Sequence, residues 1–525
     1  MENFMKLLKE TINDDENNSL VETENGALEY KSSGTKLVDL NYAVSSLRGA
    51  EPQKICDLFD AAYAENPRYA VLWLFYASDV RGGMGERRLF RIIFKHLCKR
   101  DPLFCVHLIP LVPEYSRWDN LWPLLDNDMS ISVCRTVIEL VARQLMQDMR
   151  HMKEHKNISL LAKWMPSCNA SSRRTREFAL KFEIAFGTTE KEYRKMLSAL
   201  RKYLDIVEIH ASKNDWSGIQ YDKVPSRANL MYKNAFVTHD EARYNEYISQ
   251  VANGKAKING LVNFPHDIVH EYIGNKYYHE SKIDNSLEAL WKALPDYVTG
   301  GSSTLVVADS SGSMLDRIGN TRVRAIEVAF ALGIYFAERL DGPYHNKMIT
   351  FSENPKYIDL PGTSLLDNLE TLYSHSEIAE TNIEKTMMLI LKTAIDNNIT
   401  QDQLPRNILI LSDMEFDAMI DIGGESDPYQ WIKNYNVNRK ASFDRIVEKF
   451  KEAGYKMPKI TFWNINSRTH GIPLKENEVG VNLVSGFSPA VVKLVLTEKS
   501  DPYEALKEIL DSDRYKPVAD AIDLK

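Results

Sequence analysis

The sequence predicts a protein of two parts, a mainly α-helical repeat array followed by a doubly wound α/β domain. The chain has 525 residues, which exceeds the size at which one hydrophobic core usually stops growing. Its first half repeats helical patterns, whereas its last part alternates apolar strands with helices. With 44% hydrophobic and 26% charged residues, the composition is that of a globular protein with enough apolar material for more than one core.

The helical array is predicted over residues 31–298, where apolar residues recur at three- and four-residue steps. The pattern is clearest in AVLWLFYASDV, ERRLFRIIFKHLCKR, SISVCRTVIELVARQLMQDM, EKEYRKMLSALRKYLDIVEIH and SLEALWKAL. Successive amphipathic helices without strands between them indicate stacked helical pairs of the α-solenoid type. No repeat of fixed length accompanies them, so this prediction depends on helix content alone. Residues 1–30 are polar and acidic, and they predict an arm or a short extended segment.

The α/β domain is predicted over residues 299–525 and begins at VTGGSS, a glycine- and serine-rich hinge. The strand patterns LVVAD, KMITF, NILILSD, KITFWNI and VNLVSG alternate with helical patterns such as VRAIEVAFALGIYFAERL and NIEKTMMLILKTAID. This alternation is typical of an open, largely parallel sheet with helices on both faces. In such sheets, ligands bind at the carboxyl ends of the strands.

Oxygen-bearing side chains stand where three of these elements meet that edge. Asp309, Ser311 and Ser313 form a D-x-S-x-S loop after the first strand, Thr381 precedes a helix, and Asp413 ends a strand. Each feature alone is more often a turn or a helix cap than a metal ligand. Together they predict a site for one divalent cation, Mg²⁺ or else Mn²⁺ or Ca²⁺, because these ions prefer oxygen ligands.

The motif DSSGSM, the downstream Thr381 and the LSD that ends at Asp413 resemble the metal-ion-dependent adhesion site of von Willebrand factor A domains. The resemblance implies a Rossmann-like fold in which the serines and the threonine bind the metal directly or through water. It also implies that the aspartates often act through water and that a carboxylate of a protein partner completes the metal shell. Glu380 stands where that family usually has a glycine before the threonine.

Four motifs in the first half resemble a widespread family of phage, bacterial and plant proteins: RGGMGERRLFR, VPEYSRWDNL, SLLAKWMPS and VPSRANLMYKNAFVTHDEARYNEYI. That family is similar in layout to the TROVE, or Ro-like, family. There, a ring of HEAT-like helical repeats is closed by a von Willebrand factor A-like domain and binds misfolded or small noncoding RNA. The resemblance implies a helical ring or arch that binds small noncoding or single-stranded RNA.

A local basic excess accompanies this resemblance. The formal charge of −8 excludes generic polyanion binding, yet residues 173–233 contain 13 Lys or Arg against 8 Asp or Glu. Cations bind phosphates, and interspersed Tyr and Trp side chains could stack on unpaired bases, although charges on helices are usually solvated and Tyr is usually part of a core. The candidate RNA-binding residues are Arg173, Arg174, Arg176, Lys181, Arg201, Lys202, Lys213, Arg227 and Lys233.

The chain contains no catalytic constellation that its spacing would reveal. The RGGMGER loop lacks the preceding strand and the G-K-[ST] ending of a nucleotide-binding loop, which favours a tight turn between helices. His239, His266 and His270 lie in different segments, and Cys168 has no evident histidine partner. We therefore expect no enzyme activity, with metal-dependent nuclease activity as a remote alternative.

These features predict a noncatalytic RNA-binding ribonucleoprotein component whose metal site binds a second partner through a carboxylate. The alternative is a metal-dependent protein-interaction module, for a viral or AAA+ ATPase-associated assembly, without RNA. The odd number of cysteines, five, and the lack of a CxxC motif make a disulfide framework or a zinc site unlikely. Together with an acidic amino terminus that lacks an apolar signal sequence, they predict a cytoplasmic location. We expect no membrane and no DNA partner.

Overall fold

The computed structural model of the protein describes most of the chain in two compact units. The described residues are 20–24, 28–260, 262–274, 282–298, 303–351, 355–376, 383–416, 442–468, 471–473, 481–496 and 501–524. The helical unit contains residues 67–263, 284–295 and 510–524, and the sheet unit contains the described residues of 20–66, 264–283 and 296–509.

The α-helices and β-strands are numbered along the chain. The helices are Lys36–Tyr42 (α1), Pro52–Glu65 (α2), Pro67–Ser78 (α3), Arg87–Arg100 (α4), Pro102–Leu108 (α5), Val112–Tyr115 (α6), Ile131–Lys153 (α7), Leu161–Trp164 (α8), Arg173–Phe186 (α9), Glu190–Tyr203 (α10), Val207–Ser212 (α11), Ser226–Ala252 (α12), Pro265–Ile273 (α13), Asn285–Lys292 (α14), Ala325–Ala337 (α15), Leu365–His375 (α16), Ile383–Asp396 (α17), Ser442–Glu452 (α18), Val492–Leu496 (α19), Pro502–Leu510 (α20) and Lys516–Ile522 (α21). The strands are Leu20–Glu22 (β1), Leu28–Tyr30 (β2), Thr304–Asp309 (β3), Lys347–Phe351 (β4), Lys356–Asp359 (β5), Asn407–Ser412 (β6), Lys459–Asn464 (β7) and Val481–Ser485 (β8).

In the helical unit, local sequence signals set most helix ends. The side chains of Asp101, Ser130 and Ser172 accept hydrogen bonds from backbone N–H groups in the first turns of α5, α7 and α9, and they act as N-caps. Gly187 ends α9 with a left-handed φ of 63°. The single helix predicted over residues 190–210 is instead α10 and α11, because the chain breaks at Asp205 with a φ of 51°.

The carboxyl-terminal segment, residues 510–524, packs within the helical unit against α3 and α5. Its Arg514 forms an ion pair with the buried Asp79, and the hydroxyl of Tyr115 donates to the Arg514 carbonyl at 2.6 Å. The sequence boundary at residue 299 therefore differs from the observed grouping. The predicted boundary places residues 510–524 with the sheet and places α1 and α2 with the helices. In the structure, residues 510–524 belong to the helical unit, and α1 and α2 belong to the sheet unit.

The sheet unit contains a mixed six-stranded sheet in the order β5-β4-β3-β6-β7-β8. All neighbouring strands are parallel except β4 and β5. One face packs on α1, α17 and α18 through residues such as Val307, Ile410 and Phe462. The other face packs on the fully buried α15, where the ring of Phe336 meets Trp463 edge-on at 5.7 Å. The prediction of a mainly helical region followed by an α/β sheet domain is confirmed at this level, whereas the ring or arch stays a prediction.

In the sheet unit, the strand and helix patterns did not predict β5, α16 or the β1–β2 pair. Strand β5 pairs antiparallel with β4, and α16 follows it. Strands β1 and β2 form an antiparallel hairpin, which Tyr30 joins to Ile472 through two backbone hydrogen bonds of 2.8 Å. This hairpin lies in the part of residues 1–30 for which we predicted an arm or short extended segment.

Candidate metal centre

Strands β3 and β6 meet at the centre of the sheet, where the chain order changes direction. From β3 the chain adds β4 and β5 on one side, and then returns to place β6 on the other side of β3. Ala308 lies opposite Leu411, so the two strands end at the same level. Asp309 is the last residue of β3, and Asp413 follows the last residue of β6. The topology therefore brings both aspartates to the switch point at which such sheets bind ligands.

Asp309 is fully buried and held by hydrogen bonds to both carboxylate oxygens. The Ser311 N–H donates to Oδ1 at 2.8 Å, and the Ser412 hydroxyl donates to Oδ2 at 2.6 Å. Burial raises the pKa of Asp309 to about 6, because an ionised carboxylate is poorly solvated there, and the hydrogen bonds from the two serines oppose this rise. The carboxylate is thus fixed in place and has a reduced tendency to ionise without a cation.

Asp413 is equally buried and lies close enough to Asp309 for the two charges to interact. Burial, followed by the charge of Asp309, raises the pKa of Asp413 to about 7, while the hydroxyl of Ser313 hydrogen-bonds to it and opposes the rise. The Glu415 N–H donates to Oδ1 at 3.4 Å. Oδ2 of Asp413 is buried and has no hydrogen-bond partner among the described residues. A buried carboxylate oxygen of this kind is costly unless it binds a ligand.

The two predicted serines complete this polar group. The Ser311 and Ser313 hydroxyls lie 3.1 Å apart, and Ser313 also contacts Asp413. The structure therefore brings together four of the five predicted metal ligands. The fifth, Thr381, lies outside the described residues. In the described part of the chain, no group of three or more His, Cys, Asp or Glu side chains comes together as a metal site, so a cation here would depend on hydroxyls as well as carboxylates.

The donor set fits a hard divalent cation. It offers two carboxylates and two hydroxyls and no sulfur or imidazole ligand, which is the chemistry that Mg²⁺, Mn²⁺ and Ca²⁺ share. Two neighbouring buried carboxylates repel each other when both are ionised, and a divalent cation would remove that repulsion. Oδ2 of Asp413, which has no hydrogen-bond partner among the described residues, supplies a ligand atom.

Sequence patterns missed three residues around this site. Ser412 is the last residue of β6 and orients Asp309, and Glu415 follows two residues after Asp413. Arg468, after β7, places Nη2 4.0 Å from Oδ2 of Asp413. A polar residue at the end of a buried strand was the one available signal for Ser412. Arg468 reaches the site only through the fold, and nothing in its local sequence indicated it.

The candidate RNA-binding cations fall into two groups in the helical unit. One group is exposed and comprises Arg173, Arg174, Arg176, Lys202, Lys213 and Arg227. Within this group, the Arg173 side chain is 87% exposed and pairs with Glu177 one turn along α9. Arg174 pairs with Asp126 at 2.7 Å. Surface ion pairs of this kind are weak, so Arg173 and Arg174 can exchange their present partners for other anions.

The second group is engaged within the unit. Arg201 donates to the carbonyls of Ala162 and Met165, both at 2.8 Å, and to the Ser167 hydroxyl at 2.9 Å. Lys233 is 7% exposed and pairs with Asp284 at 2.6 Å. In a separate contact, Lys181 donates to the Leu125 carbonyl and to the Asn127 side chain. These three cations hold neighbouring segments together.

The aromatic side chains of the same stretch divide in the same way. Tyr193 and Tyr221 are buried, and the Tyr193 hydroxyl donates to the Pro166 carbonyl at 2.9 Å. The ring of Trp216 is partly exposed and stacks on His239 with centroids 4.6 Å apart. Of these aromatic residues, Trp216 and His239 offer stacked rings near solvent.

His266, His270 and Cys168, for which we predicted no catalytic role, contact neighbouring side chains within the fold. Nδ1 of His270 donates to the Glu327 carboxylate at 2.7 Å, and His266 stacks on Phe264. The Cys168 thiol donates to Glu183 at 3.0 Å, and burial, followed by this contact, raises its pKa to about 11. A thiol with a raised pKa is a poor nucleophile.

Among the described helices, none is long and apolar enough to cross a membrane.

The fold and the site together define a protein with a helical unit and an α/β sheet unit that carries a carboxylate- and hydroxyl-lined site at its strand ends. Residues 303–520 match a family described as a domain of unknown function, DUF7788, and residues 172–299 match another, DUF2828. The chain is 28% identical to the uncharacterized protein L728 of Acanthamoeba polyphaga mimivirus, over 94% of this chain and 88% of that protein. It is also similar to the crystal structure of the Ro (RSR) protein of Deinococcus radiodurans, with 13% identity and a TM-score of 0.45 over 88% of this chain and 98% of that one.

Proposed function

We propose that this protein is a noncatalytic, metal-dependent binding protein. Asp309, Ser311, Ser313 and Asp413, with Thr381 as a fifth ligand, would hold one divalent cation, Mg²⁺ in the cell. The bound cation would supply an open coordination position for a carboxylate of a protein partner. This is the chemistry that the resemblance to von Willebrand factor A adhesion sites implies, and we place the protein in the cytoplasm.

The observation that carries this proposal is the pair of buried carboxylates at the switch point of the sheet. Asp309 and Asp413 are both 0% exposed, and one oxygen of Asp413 has no hydrogen-bond partner among the described residues. A protein that only needed a stable sheet edge would gain more from apolar residues here, because burying two like charges is unfavourable. A cation-binding role explains why both acids are present.

The test is Mn²⁺ binding to the full chain, measured by calorimetry and by electron paramagnetic resonance. We expect one Mn²⁺ per chain, displaced by excess Mg²⁺. The double variant Asp309→Ala with Ser311→Ala should lose this binding, whereas Asp402→Ala with Ser374→Ala removes the same residue types from exposed positions of the same unit and should not. Unchanged Mn²⁺ affinity in the first variant, with circular dichroism showing that it is folded, would show that Asp309 and Ser311 do not bind the metal.

We propose RNA binding by the helical unit as a second function. The resemblance to TROVE proteins suggests it, and the six exposed cations, with the Trp216 and His239 rings, are the surface that supports it. Phosphates would contact the exposed arginines of α9, and unpaired bases would stack on exposed rings. A small noncoding or single-stranded RNA is the ligand that fits this chemistry, whereas Arg201 and Lys233, which are bonded within the unit, would hold the segments beneath this surface in place.

Salt dependence tests this second function. Phosphate contacts release counterions, so affinity for a single-stranded RNA should fall steeply with salt. Replacing Arg173, Arg174 and Arg176 with Gln should weaken binding and lower the slope by roughly 0.7 for each engaged phosphate on a single strand. The matched variant replaces Arg317, Arg322 and Arg406, exposed arginines of the sheet unit, and should bind like the wild type.

Fluorescence anisotropy at several salt concentrations gives the slope. Equal binding by both triple variants, or no affinity of the wild type near physiological salt, would leave the metal-dependent interaction module without RNA as the better account. The RNA should also stay intact during the measurement. Metal-dependent cleavage that disappears in Asp413→Asn would instead favour the nuclease alternative.

A further inference from the structure

Arg468 lies beside the candidate metal site and contacts acidic groups from three other segments. Its Nη2 atom pairs with Asp316 at 2.6 Å and lies 4.0 Å from Oδ2 of Asp413, while Nη1 pairs with Glu24 of the amino-terminal hairpin. The side chain is 30% exposed. Asp316 lies three residues after Ser313 and follows the short 3-10 helix Gly312–Leu315. The guanidinium therefore adjoins the loop and the carboxylate that would bind the cation.

A buried acid fixes the backbone around this arginine. Glu415 is 0% exposed, and its Oε1 accepts the Arg468 N–H at 2.6 Å. Its other oxygen, Oε2, accepts the Glu24 N–H at 3.0 Å. One carboxylate thus aligns the arginine and the hairpin glutamate side by side. Because charge-assisted hydrogen bonds to backbone N–H groups are strong, this alignment is a built feature of the site.

The hairpin delivers Glu24 to this position through a further contact. The hydroxyl of Thr23 donates to the Phe416 carbonyl at 2.6 Å, in the loop that also carries Asp413. Glu24 itself is exposed, so its carboxylate can leave the guanidinium without exposing a buried charge.

One buried carboxyl group weakens the packing of the hairpin against the rest of the sheet unit. Glu29 of β2 is 1% exposed, and neither of its carboxylate oxygens has a hydrogen-bond partner among the described residues. Burying an unpaired carboxyl group is unfavourable, so the docked hairpin is less stable than its other contacts suggest. A segment held in this way is suited to being displaced.

A cation on Asp413 and the guanidinium of Arg468 would be neighbouring positive charges. Two such charges favour an anion that contacts both, and a planar carboxylate matches the fork of an arginine. We propose that Arg468 is a second anchor of the metal site for the carboxylate of an acidic polypeptide, and that Glu24 occupies this anchor as an internal ligand which the partner displaces. This inference rests on the proposed metal-dependent function.

The partner is an acidic side chain on a polypeptide, because the internal occupant is of that kind. Glu24 is a glutamate that follows a short β-strand and is held by a backbone N–H as well as by its carboxylate. A partner with an Asp or Glu in an extended segment could replace both contacts.

The test uses the full chain loaded with Mn²⁺ and follows water-proton relaxation, which reports water on the bound metal. The probe is N-acetyl-glutamate amide, which carries one side-chain carboxylate. Loss of the internal competitor in Glu24→Gln should let the probe displace water at about tenfold lower concentration than in the wild type, the change expected for one charge-assisted hydrogen bond. Arg468→Gln combined with Glu24→Gln should remove this gain, and Arg468→Lys should restore part of it.

Arg406→Gln is the matched control, because Arg406 is an exposed arginine before the amino end of β6, at the opposite edge of the sheet. It should titrate like the wild type. No Mn²⁺ binding in the wild type would overturn both the proposed function and this inference. If Mn²⁺ binds all variants but they titrate alike with the probe, only this inference fails. Displacement by an oligouridylate and not by the glutamate probe would also overturn it, in favour of a nucleic-acid ligand.

Discussion

At the scale of single residues, the candidate site is dominated by the difficulty of keeping two neighbouring acids ionised inside a protein. Asp309 and Asp413 are held by serine hydroxyls and backbone N–H groups, which favour the charged forms. These contacts do not fully offset burial, so the pKa values of both acids remain raised. A bound divalent cation would further stabilise the ionised forms of both acids and would lower their pKa values.

The raised pKa values predict that metal binding depends on pH. A cation must displace protons from acids whose pKa values are about 6 and about 7. Affinity for Mn²⁺ should therefore rise from pH 5 to pH 7, by about tenfold per pH unit for each proton released, and flatten above that range. Calorimetry in buffers of different ionisation enthalpy counts the protons. Constant affinity over this range, with no proton release, would contradict the account of the two acids.

Glu29 gives a second prediction at this scale. Burial, followed by the charge of Glu415, raises the pKa of Glu29 well above its usual value, so the folded protein binds a proton more tightly than the unfolded chain does. This residue therefore lowers stability as pH rises above about 4.3, the unfolded value, and the loss is complete above the folded pKa.

The variant Glu29→Gln should stabilise the sheet unit by about 1–3 kcal/mol at pH 8, since an amide carries no charge to bury, and by much less at pH 4. Urea unfolding at both pH values measures the difference. Glu51→Gln, at an exposed position of the same unit, is the control and should change little. An equal effect of Glu29→Gln at both pH values would contradict the linkage.

At the scale of elements, the glycine-rich turn between α3 and α4 has a packing role. A Cβ atom on Gly83 would lie 1.9 Å from the Tyr76 carbonyl oxygen, and one on Gly82 would lie 2.8 Å from the Arg514 side chain. The turn therefore admits the carboxyl-terminal segment, whose Arg514 pairs with the buried Asp79. This explains the RGGMGER motif as a tight turn.

Removing Arg514 should be costly for the helical unit. Arg514→Ala would leave Asp79 buried without its cation, which typically destabilises a protein by about 3 kcal/mol or more. Arg68→Ala breaks an ion pair with Asp523 whose side chains are 41% and 62% exposed, and it should cost less than about 1 kcal/mol. Guanidinium unfolding followed by circular dichroism compares the two variants. Equal destabilisation would show that the segment is not held by the buried pair.

Local patterns predicted most elements that run through a core. The strand patterns at LVVAD, KMITF and KITFWNI coincide with β3, β4 and β7, because a strand buried on both faces reads as a continuous apolar run. Strand β5 has an exposed edge and a mixed pattern, and it was missed. The break at Asp205 was missed for another reason, since aspartate in the left-handed region leaves no mark in helical periodicity.

The residues of the candidate site also divide into those that local sequence patterns predicted and those that only the fold reveals. Asp309, Ser311 and Ser313 are neighbours in sequence, and Asp413 ends a strand, so spacing and topology sufficed to propose them together. Arg468 pairs with Asp316 across 152 positions, a contact that only the folded sheet creates. The packing of Arg201 against the segment of residues 162–167 was equally invisible, because a basic residue on a helix usually indicates a solvated surface.

At the scale of the whole molecule, the chain combines two kinds of surface. The acidic balance of −8 disfavours general binding to polyanions, so the exposed cations of the helical unit would have to act locally. The sheet unit carries the buried carboxylates that favour a cation. The proposed metal binding and the proposed RNA binding should therefore be separable. Removing the metal with a chelator should abolish carboxylate binding and leave the RNA salt slope unchanged.

The proposed function requires one divalent cation at the carboxyl ends of β3 and β6. Anomalous diffraction from crystals soaked in Mn²⁺ is the decisive measurement, because the anomalous signal locates manganese without any assumption about which residues bind it. We predict one strong peak in contact with the Ser311 and Ser313 hydroxyls, which Asp309, Thr381 and Asp413 reach directly or through water. A strong peak elsewhere with none at this position, in crystals whose site is open to solvent, would contradict it.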